Sequence, residues 1–272
     1  MSKATHDLAF IGAGNMAEAI VRGILSAKLL APNRIIAADV SPQRRQLFQD
    51  QLGISAVQEN TTAALGSSIL LLSVKPQQME SALRDLQSAL SPGVLILSIA
   101  AGIRTEKIEA WLGHSQYRVI RAMPNTPMLV GAGMVALCRG SAATAADLAI
   151  AQRLFQAAAV VTEVDESQMD AVTAVSGSGP AYVFFLAEQM IRAGESFGLT
   201  AAQSRTLAIQ TIAGAAKMLA ESEESPETLR RKVTSPNGTT QAAIEHMQAQ
   251  RVGESIEGAI GAAMQRSREL GA

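Results

Sequence analysis

The chain has 272 residues, of which 48% are hydrophobic and only 17% charged, and its formal net charge is −1. This length and apolar content suit one large domain or two ordinary ones with a sizeable core, and they argue against disorder. The balanced charge argues against a nucleic-acid partner, and the single cysteine, Cys138, excludes an internal disulfide and a cysteine-rich metal site.

The N-terminal stretch MSKATHDLAFIGAGNMAEAI has neither the separated regions of a signal peptide nor an apolar run long enough to span a membrane. We therefore expect a cytoplasmic protein with no membrane partner.

The first part of the chain alternates short apolar runs with segments of helical length. Continuous apolar runs such as ILLLSV and VLILSI are typical of strands that are covered on both faces. The predicted strands are Leu8–Ile11, Arg34–Ala38, Ile69–Val74, Val94–Ile99, Arg118–Ala122, Met134–Leu137 and Val160–Val164. The predicted helices between them are Met16–Ala27, Pro42–Gln51, Gln77–Leu90 and Thr105–Leu112. This alternation predicts a parallel, doubly wound sheet.

From about Asp165 the pattern predicts helices only. They are Ala181–Phe197, Ala201–Ser222, Pro226–Lys232, Thr239–Gln248 and Glu254–Glu269. Many of their apolar positions are small residues, which suit either a dimer interface or a self-contained helical bundle, and we favour the dimer. The sequence thus predicts an α/β fold with a Rossmann-like NAD(P)-binding domain over residues 1–164. An all-α dimerisation and substrate-binding domain follows over residues 165–272.

A glycine pattern typical of dinucleotide binding follows the first strand. Gly12, Gly14 and Ala17 form G-x-G-x-x-A between an apolar strand and a helix. The first glycine permits a tight turn, the second permits the backbone to approach a pyrophosphate, and the alanine permits close packing of the helix on the sheet. A glycine turn that merely connects two elements is the alternative.

The end of the second strand bears on the choice between NADH and NADPH. Asp39 lies where a carboxylate would bind the adenosine ribose and repel a 2′-phosphate, which favours NADH. Ser41, Arg44 and Arg45 follow directly and would receive that phosphate, so NADPH stays open.

Three further segments at strand ends are candidates for the site, because ligands of open α/β sheets bind outside the carboxyl ends of the strands. They are Lys75–Pro76, Ala100–Gly102 and the stiff Pro124–Pro127 segment with Asn125 and Thr126. Ordinary turns and helix starts would have the same residues.

No acid, base or metal site is evident. His6, His114 and His246 are interpreted as surface or structural residues, and the sequence contains no metal-ligand spacing. The segment SGSGPAY, Ser176–Tyr182, resembles a nucleophile elbow but lacks a preceding strand, so we interpret it as a flexible helix start that faces the cofactor cleft. Reduction of a protonated imine by a nicotinamide cofactor needs no strong acid or base, because the acceptor is already electrophilic.

The motifs FIGAGNMAEAI, VKPQ, SIAAGI, IRAMPNTP, AVSGSGPAYV, GAAKM and LRRKVTSPNGTTQAAI occur in this order. Together they closely resemble the pyrroline-5-carboxylate reductase family over about residues 7–270. The resemblance implies reduction of L-1-pyrroline-5-carboxylate to L-proline with NADPH or NADH, the last step of proline biosynthesis. It also implies a homodimer that in many members assembles into a decamer.

The resemblance further implies a set of cofactor-binding residues. At the pyrophosphate they are Gly12, Gly14, Asn15 and Met16. Near the adenosine and along the cofactor they are Asn60, Val74, Lys75 and Pro76. Around the nicotinamide they are Ala100, Ala101, Met123, Pro124 and Asn125.

In the family, backbone amides of the last motif bind the substrate carboxylate, and a threonine lies beside the ring nitrogen. Carried over, Ser235, Gly238, Thr239 and Thr240 form this site, with Thr240 as the catalytic residue and no metal. The family commonly has two glycines after the proline, whereas this chain has Asn237 and Gly238. Because asparagine tolerates left-handed backbone geometry, we expect the loop to be retained.

Three alternatives remain. One is a reductase of a related six-membered cyclic imine. Another is a β-hydroxyacid dehydrogenase, which is disfavoured because the segment PAYVFFLAEQMIRAG lacks the catalytic lysine expected there. The third is a regulatory protein that binds the cofactor without turnover.

Overall fold

The computed structural model describes residues 6–91, 93–113 and 117–271. The chain packs as two units: residues up to Ser178 together with those from Ala263 onward form the first, and Gly179–Ala262 form the second. These compact units are not the same as the predicted domains, residues 1–164 and 165–272, which remain a prediction.

One sheet of eight strands organises the first unit. The strands are β1 (Leu8–Ile11), β2 (Ile35–Ala38), β3 (Ser55–Val57), β4 (Ile69–Leu72), β5 (Leu95–Ser98), β6 (Arg118–Pro124), β7 (Gly133–Arg139) and β8 (Ala159–Glu163). Their order is β3-β2-β1-β4-β5-β6-β7-β8. The strand order reverses at β1, so the sheet has a switch point between β1 and β4, where α/β proteins bind ligands.

Neighbouring strands are parallel except β6 and β7, which are antiparallel. The predicted parallel sheet therefore has one antiparallel pair that the sequence did not indicate. A parallel return needs a crossover of a dozen or more residues. Here only the short segment around the 3₁₀ turn Thr126–Val130 separates the two strands, so the chain can only fold back.

Helices cover both faces of the sheet. Those of the first unit are α1 (Asn15–Ser26), α2 (Pro42–Leu52), α3 (Asn60–Ala64), α4 (Pro76–Leu86), α5 (Thr105–Trp111), α6 (Ala145–Phe155) and α7 (Met169–Val172). Along β1, Leu8 and Phe10 lie in one apolar core, whereas Ile11 lies in the other. This burial on both faces explains why the strands are continuous apolar runs rather than alternating ones.

Four of these elements were not predicted from the sequence: β3, α3, α6 and α7. Three of them, β3, α3 and α7, have only three to five residues, too few for a periodic pattern. Helix α6 did carry a signal, because Thr144 and Asp147 form a capping box at its start.

The second unit is helical, as predicted, and no described residue after β8 forms a strand. Its helices are α8 (Gly179–Ser196), α9 (Ala201–Glu221), α10 (Pro226–Lys232), α11 (Thr239–Ala249) and the first part of α12 (Val252–Gly271). Small residues bring α8 and α9 together, since a Cβ on Gly194 would lie 2.7 Å from the Ser204 hydroxyl.

Helix α8 exposes its apolar side chains. Phe184 and Phe185 are largely exposed, Phe197 just beyond the helix is 83% exposed, and no residue of α8 is buried within the described chain. A self-contained bundle would bury these side chains, so this surface favours a partner subunit. Among the described residues, no helix combines the length and apolarity needed to cross a membrane.

Candidate active site

A glycine turn connects β1 to α1. Gly12 has a φ of +97°, and a Cβ there would lie 2.8 Å from the Ser73 carbonyl oxygen, so only glycine fits. Gly14 is the N-cap of α1, and a Cβ on it would meet no atom of the described chain within 4 Å. Packing within the described chain therefore does not require a glycine at position 14. The open space next to a helix N-terminus is what the approach of a pyrophosphate requires.

Two adjoining clefts open at the carboxyl edge of the sheet, and both are lined by Ser73, Val74 and Lys75 after β4. The first, here called the Asp39 cleft, has a volume of about 500 Å³. Among the residues that line it, those predicted to bind the cofactor are Gly12, Gly14, Asp39, Asn60, Val74 and Lys75. The second, here called the Asn125 cleft, has a volume of about 320 Å³. Among the residues that line it, those predicted to bind the cofactor are Met16, Val74, Lys75, Pro76, Ala100, Ala101, Met123, Pro124 and Asn125.

The two clefts thus bring together every predicted cofactor residue except Asn15, the exposed first residue of α1. Strands β1, β4, β5 and β6 are parallel, so their carboxyl ends meet at one edge. Residues far apart in the sequence therefore line one continuous groove. Their roles in binding a cofactor stay a prediction.

Asp39 has a structural task that the sequence did not indicate. Its carboxylate accepts hydrogen bonds from the Ala13 amide at 2.7 Å and from the Ser41 amide at 2.8 Å. The side chain thus holds the glycine turn against the end of β2. Contact with the cofactor ribose remains the predicted second task.

The two arginines considered for a 2′-phosphate are already engaged. Arg44 donates to the Ala13 carbonyl and forms an ion pair with Glu18 at 2.9 Å. Arg45 donates to the carbonyl oxygens of Asp39 and Val40. Binding a phosphate would require these contacts to be shared or exchanged.

Asn125 is nearly buried, and both ends of its amide are bound. The side-chain nitrogen donates to the Ser176 carbonyl at 3.1 Å, and the side-chain oxygen accepts from the Met134 amide at 2.9 Å. Asn125 therefore fixes the rigid proline segment to a π-helical turn, Thr173–Gly177. Gly177 of this turn lines the Asn125 cleft, which agrees with the prediction that the segment Ser176–Tyr182 faces the cofactor cleft.

The predicted substrate residues lie together in the second unit, between α10 and α11. Asn237 has a φ of +57°, the left-handed geometry that asparagine tolerates. The Gly238 amide donates to the Ser235 carbonyl, which closes the turn. The backbone N–H of Asn237 donates a hydrogen bond to the side-chain oxygen of Gln241 at 2.8 Å.

Helix α11 offers free amides at its start. Its first intrahelical hydrogen bond runs from the Ala242 amide to the Gly238 carbonyl. The amides of Thr239, Thr240 and Gln241 therefore have no acceptor within the helix, which makes this start attractive to an anion.

The histidines do not form a catalytic group in the described part of the chain. His6 lies just before β1, and His246 lies exposed on α11, while His114 is outside the described residues. Among the described residues, no group of three or more histidine, cysteine, aspartate or glutamate side chains is placed to hold a metal ion.

Comparison with known proteins decides the family. Residues 166–270 match the family model described as pyrroline-5-carboxylate reductase dimerisation. A pyrroline-5-carboxylate reductase of Pseudomonas aeruginosa is 45% identical over 98% of this chain and 97% of that protein. The chain belongs to the pyrroline-5-carboxylate reductase family.

Solved structures agree with this family over the whole chain. A pyrroline-5-carboxylate reductase of Coxiella burnetii superposes with a TM-score of 0.90 at 37% identity, covering 98% of this chain and 99% of that one. The Plasmodium falciparum pyrroline carboxylate reductase, solved with NADP bound, superposes with a TM-score of 0.89 at 28% identity over the full length of both chains. Residues 7–102 also match the family model NADP oxidoreductase coenzyme F420-dependent. The predicted family, fold class and NAD(P)H-dependent reductase chemistry are confirmed.

Proposed function

We propose that this chain reduces L-1-pyrroline-5-carboxylate to L-proline with NAD(P)H, as the final step of proline biosynthesis. The observation that carries the proposal is the groove at the sheet edge, where predicted residues from the ends of β1, β2, β4, β5 and β6 meet beside an open helix N-terminus. A member of the pyrroline-5-carboxylate reductase family needs such a groove to hold a dinucleotide.

The cofactor lies along the two clefts in this proposal. Gly12, Gly14, Asn15 and Met16 bind the pyrophosphate with the start of α1. The Asp39 cleft takes the adenosine half, and the Asn125 cleft takes the nicotinamide, which supplies the hydride. The NADP in the Plasmodium falciparum relative supports NADPH as a cofactor of this chain as well. Asp39 at the ribose position supports NADH, so both cofactors are proposed.

The loop before α11 binds the substrate carboxylate in this proposal. The amides of Thr239 and Thr240, which lack acceptors within the helix, attract an anion together with the helix dipole. Ser235 and Gly238 shape the turn, and the Thr240 hydroxyl lies beside the ring nitrogen.

The chemistry needs orientation rather than a strong acid or base. Hydride adds to the imine carbon, the π electrons of the C=N bond move to nitrogen, and the nitrogen retains its proton. Thr240 contributes by holding that N–H in place, so catalysis comes from positioning two reactants.

The dimerisation family model supports an oligomer, because it covers the helices that expose Phe184 and Phe185. We extend this to a homodimer that assembles into a decamer, with residues 1–164 and 165–272 as its domains. A cytoplasmic location belongs to the same proposal.

A steady-state assay tests the function. Purified protein should oxidise NADH or NADPH when pyrroline-5-carboxylate is added, with one proline formed per cofactor and no loss of rate in a metal chelator. Faster turnover of the six-membered cyclic imine would favour the related imine reductase, and cofactor binding without proline would favour the regulatory protein.

A variant separates the substrate loop from the cofactor groove. Thr240→Ala should lower kcat roughly tenfold while the dissociation constant for NAD(P)H changes by less than about twofold. An equal loss of both would contradict the role given to Thr240.

A further inference from the structure

One carboxylate ties together several segments of the first unit. Arg121 on β6 is only 2% exposed, and its guanidinium pairs with Glu166, which begins the 3₁₀ turn after β8. The same carboxylate accepts hydrogen bonds from the Thr105 amide at 3.2 Å and the Thr105 hydroxyl at 2.8 Å, at the start of α5. The Cys138 thiol on β7 is a weaker fourth donor at 3.4 Å.

Three of these segments, all except β7, lead to a residue of the Asn125 cleft. Ala100 and Ala101 lie just before α5, which Thr105 begins. On β6, Arg121 lies two residues before Met123. The helical segment that begins at Glu166 ends at Gly177 of the cleft, and there Ser176 accepts the hydrogen bond from Asn125.

The contacts give Glu166 little freedom to move. Nε and Nη2 of Arg121 have no acceptor in the described part of the chain, so loss of Glu166 would leave a buried cation without a counter-charge. Burial alone would raise the pKa of the Glu166 carboxyl, but the Arg121 charge and the Thr105 hydrogen bonds outweigh burial and lower it. The carboxylate is therefore ionised at neutral pH, where it balances the buried Arg121 charge.

We propose that Glu166 is a positioning residue for hydride transfer. Through Thr105 and Arg121 it sets the spacing between the Ala100–Ala101 turn, the end of β6 and Gly177, and this spacing holds the nicotinamide. The inference rests on the proposed function, because it assumes that the Asn125 cleft takes the nicotinamide. The adenosine contacts and the pyrophosphate contacts of Gly12 and Gly14 lie in the Asp39 cleft, so loosening the Glu166 contacts should affect turnover more than cofactor affinity.

The test compares Thr105→Val, Thr105→Ser and Glu166→Gln with the unmodified protein. Thr105→Val keeps the shape of the side chain and removes the hydroxyl, whereas Thr105→Ser retains it. The matched control is Glu163→Gln, three residues before Glu166 in the chain. It removes the carboxylate of an exposed ion pair between Glu163 and Arg139. The measured quantities are kcat, the dissociation constant for NADPH, and the primary isotope effect with NADPH deuterated at the transferred position.

We expect Thr105→Val and Glu166→Gln to lower kcat roughly tenfold, because small misplacements of reacting atoms are costly. The dissociation constant for NADPH should change less than about threefold, and the isotope effect should rise as hydride transfer becomes slower. Thr105→Ser should restore kcat, and Glu163→Gln should leave it unchanged.

Wild-type kcat and isotope effect in both Thr105→Val and Glu166→Gln would overturn the inference. Folding is checked with the single cysteine: Cys138 is only 1% exposed, so its thiol is shielded from a bulky thiol reagent in the folded protein. If Glu166→Gln unfolds and exposes this thiol, the Thr105→Val and Thr105→Ser pair decides. Failure of the proposed function would differ from both results, because the unmodified protein would then bind NADPH and form no proline.

Discussion

At the residue scale, Asp39 combines a predicted ligand contact with a structural one. Its two carboxylate oxygens bind the amides of Ala13 and Ser41, so the residue thought to choose the cofactor also shapes the glycine turn. The position of Asp39 after a strand was predictable from the sequence. The contact with Ala13 was not, because it depends on the parallel pairing of β1 with β2.

Asp39→Ser should therefore have two effects. Removal of the negative charge should shift the ratio of kcat/KM values toward NADPH, and loss of the contact with Ala13 should weaken binding of both cofactors. Hydrogen bonds to charged groups are worth about 1.5–3 kcal/mol, so the second effect is measurable. Kinetics with both cofactors check this, and an unchanged ratio would remove Asp39 from the specificity argument.

The residues before α11 differ sharply in their tolerance to substitution. Asn237 already has a φ of +57°, which glycine adopts without strain, so Asn237→Gly should keep KM for the substrate within about twofold. A Cβ on Gly238 would lie 2.5 Å from the Ser235 hydroxyl, so Gly238→Ala should displace Ser235 and raise KM by more than about fivefold. Similar KM values in the two variants would contradict this account of the loop.

At the element scale, most of the long helices and the central strands were predictable from the sequence, whereas the shortest elements were not. Strands of the sheet centre are apolar runs, and long helices have clear periodicity, so β1, β4, β5, α8 and α9 were predictable. The direction of β7 and the π-helical turn before α8 depend on tertiary contacts, such as Asn125 with Ser176, that no local pattern records. Gly177 belongs to that turn and lines the Asn125 cleft.

The end of α12 is a second feature that only the structure reveals. Its last residues pack on Gly102, where a Cβ would lie 2.9 Å from Leu270 Cβ and 3.0 Å from the Ser267 carbonyl. The Ser267 hydroxyl, on the same helix, donates to Asp170 of α7 at 2.7 Å. The C-terminal turns of α12 thus support the turn that carries Ala100 and Ala101.

Gly102→Ala should destabilise the first unit. The residue has a φ of +78°, and the added methyl group would overlap α12, so we expect a loss of about 2–4 kcal/mol in the free energy of unfolding. Denaturant unfolding measures this loss. The control is Gly53→Ala, which has a similar φ of +67° but no atom within 4 Å of the added Cβ, so the difference between the variants isolates the contact with α12.

At the scale of the whole molecule, stability should fall in acid because paired carboxylates become protonated. The Arg121 charge and the Thr105 hydrogen bonds outweigh burial and hold the pKa of Glu166 below its ordinary 4.5. A carboxylate with a lowered pKa stabilises the folded state above its unfolded pKa, and this contribution is lost as the pH falls through the folded value.

Glu166→Gln should therefore lose less stability between about pH 5 and pH 3 than the unmodified protein, although it starts from a lower value. Glu163→Gln is the control for removing one carboxylate from an exposed pair. Thermal unfolding midpoints across this pH range measure the effect, and parallel curves for the unmodified protein and Glu166→Gln would contradict the assigned ion pair.

The central claim is direct transfer of hydride from a cofactor in the sheet-edge groove to the imine carbon of the substrate. The measurement is mass spectrometry of the proline formed from unlabelled pyrroline-5-carboxylate and NADPH or NADH deuterated at the transferred position, in ordinary water. The account predicts proline that carries one deuterium on the former imine carbon. Unlabelled proline, or oxidised cofactor with no proline, would contradict it.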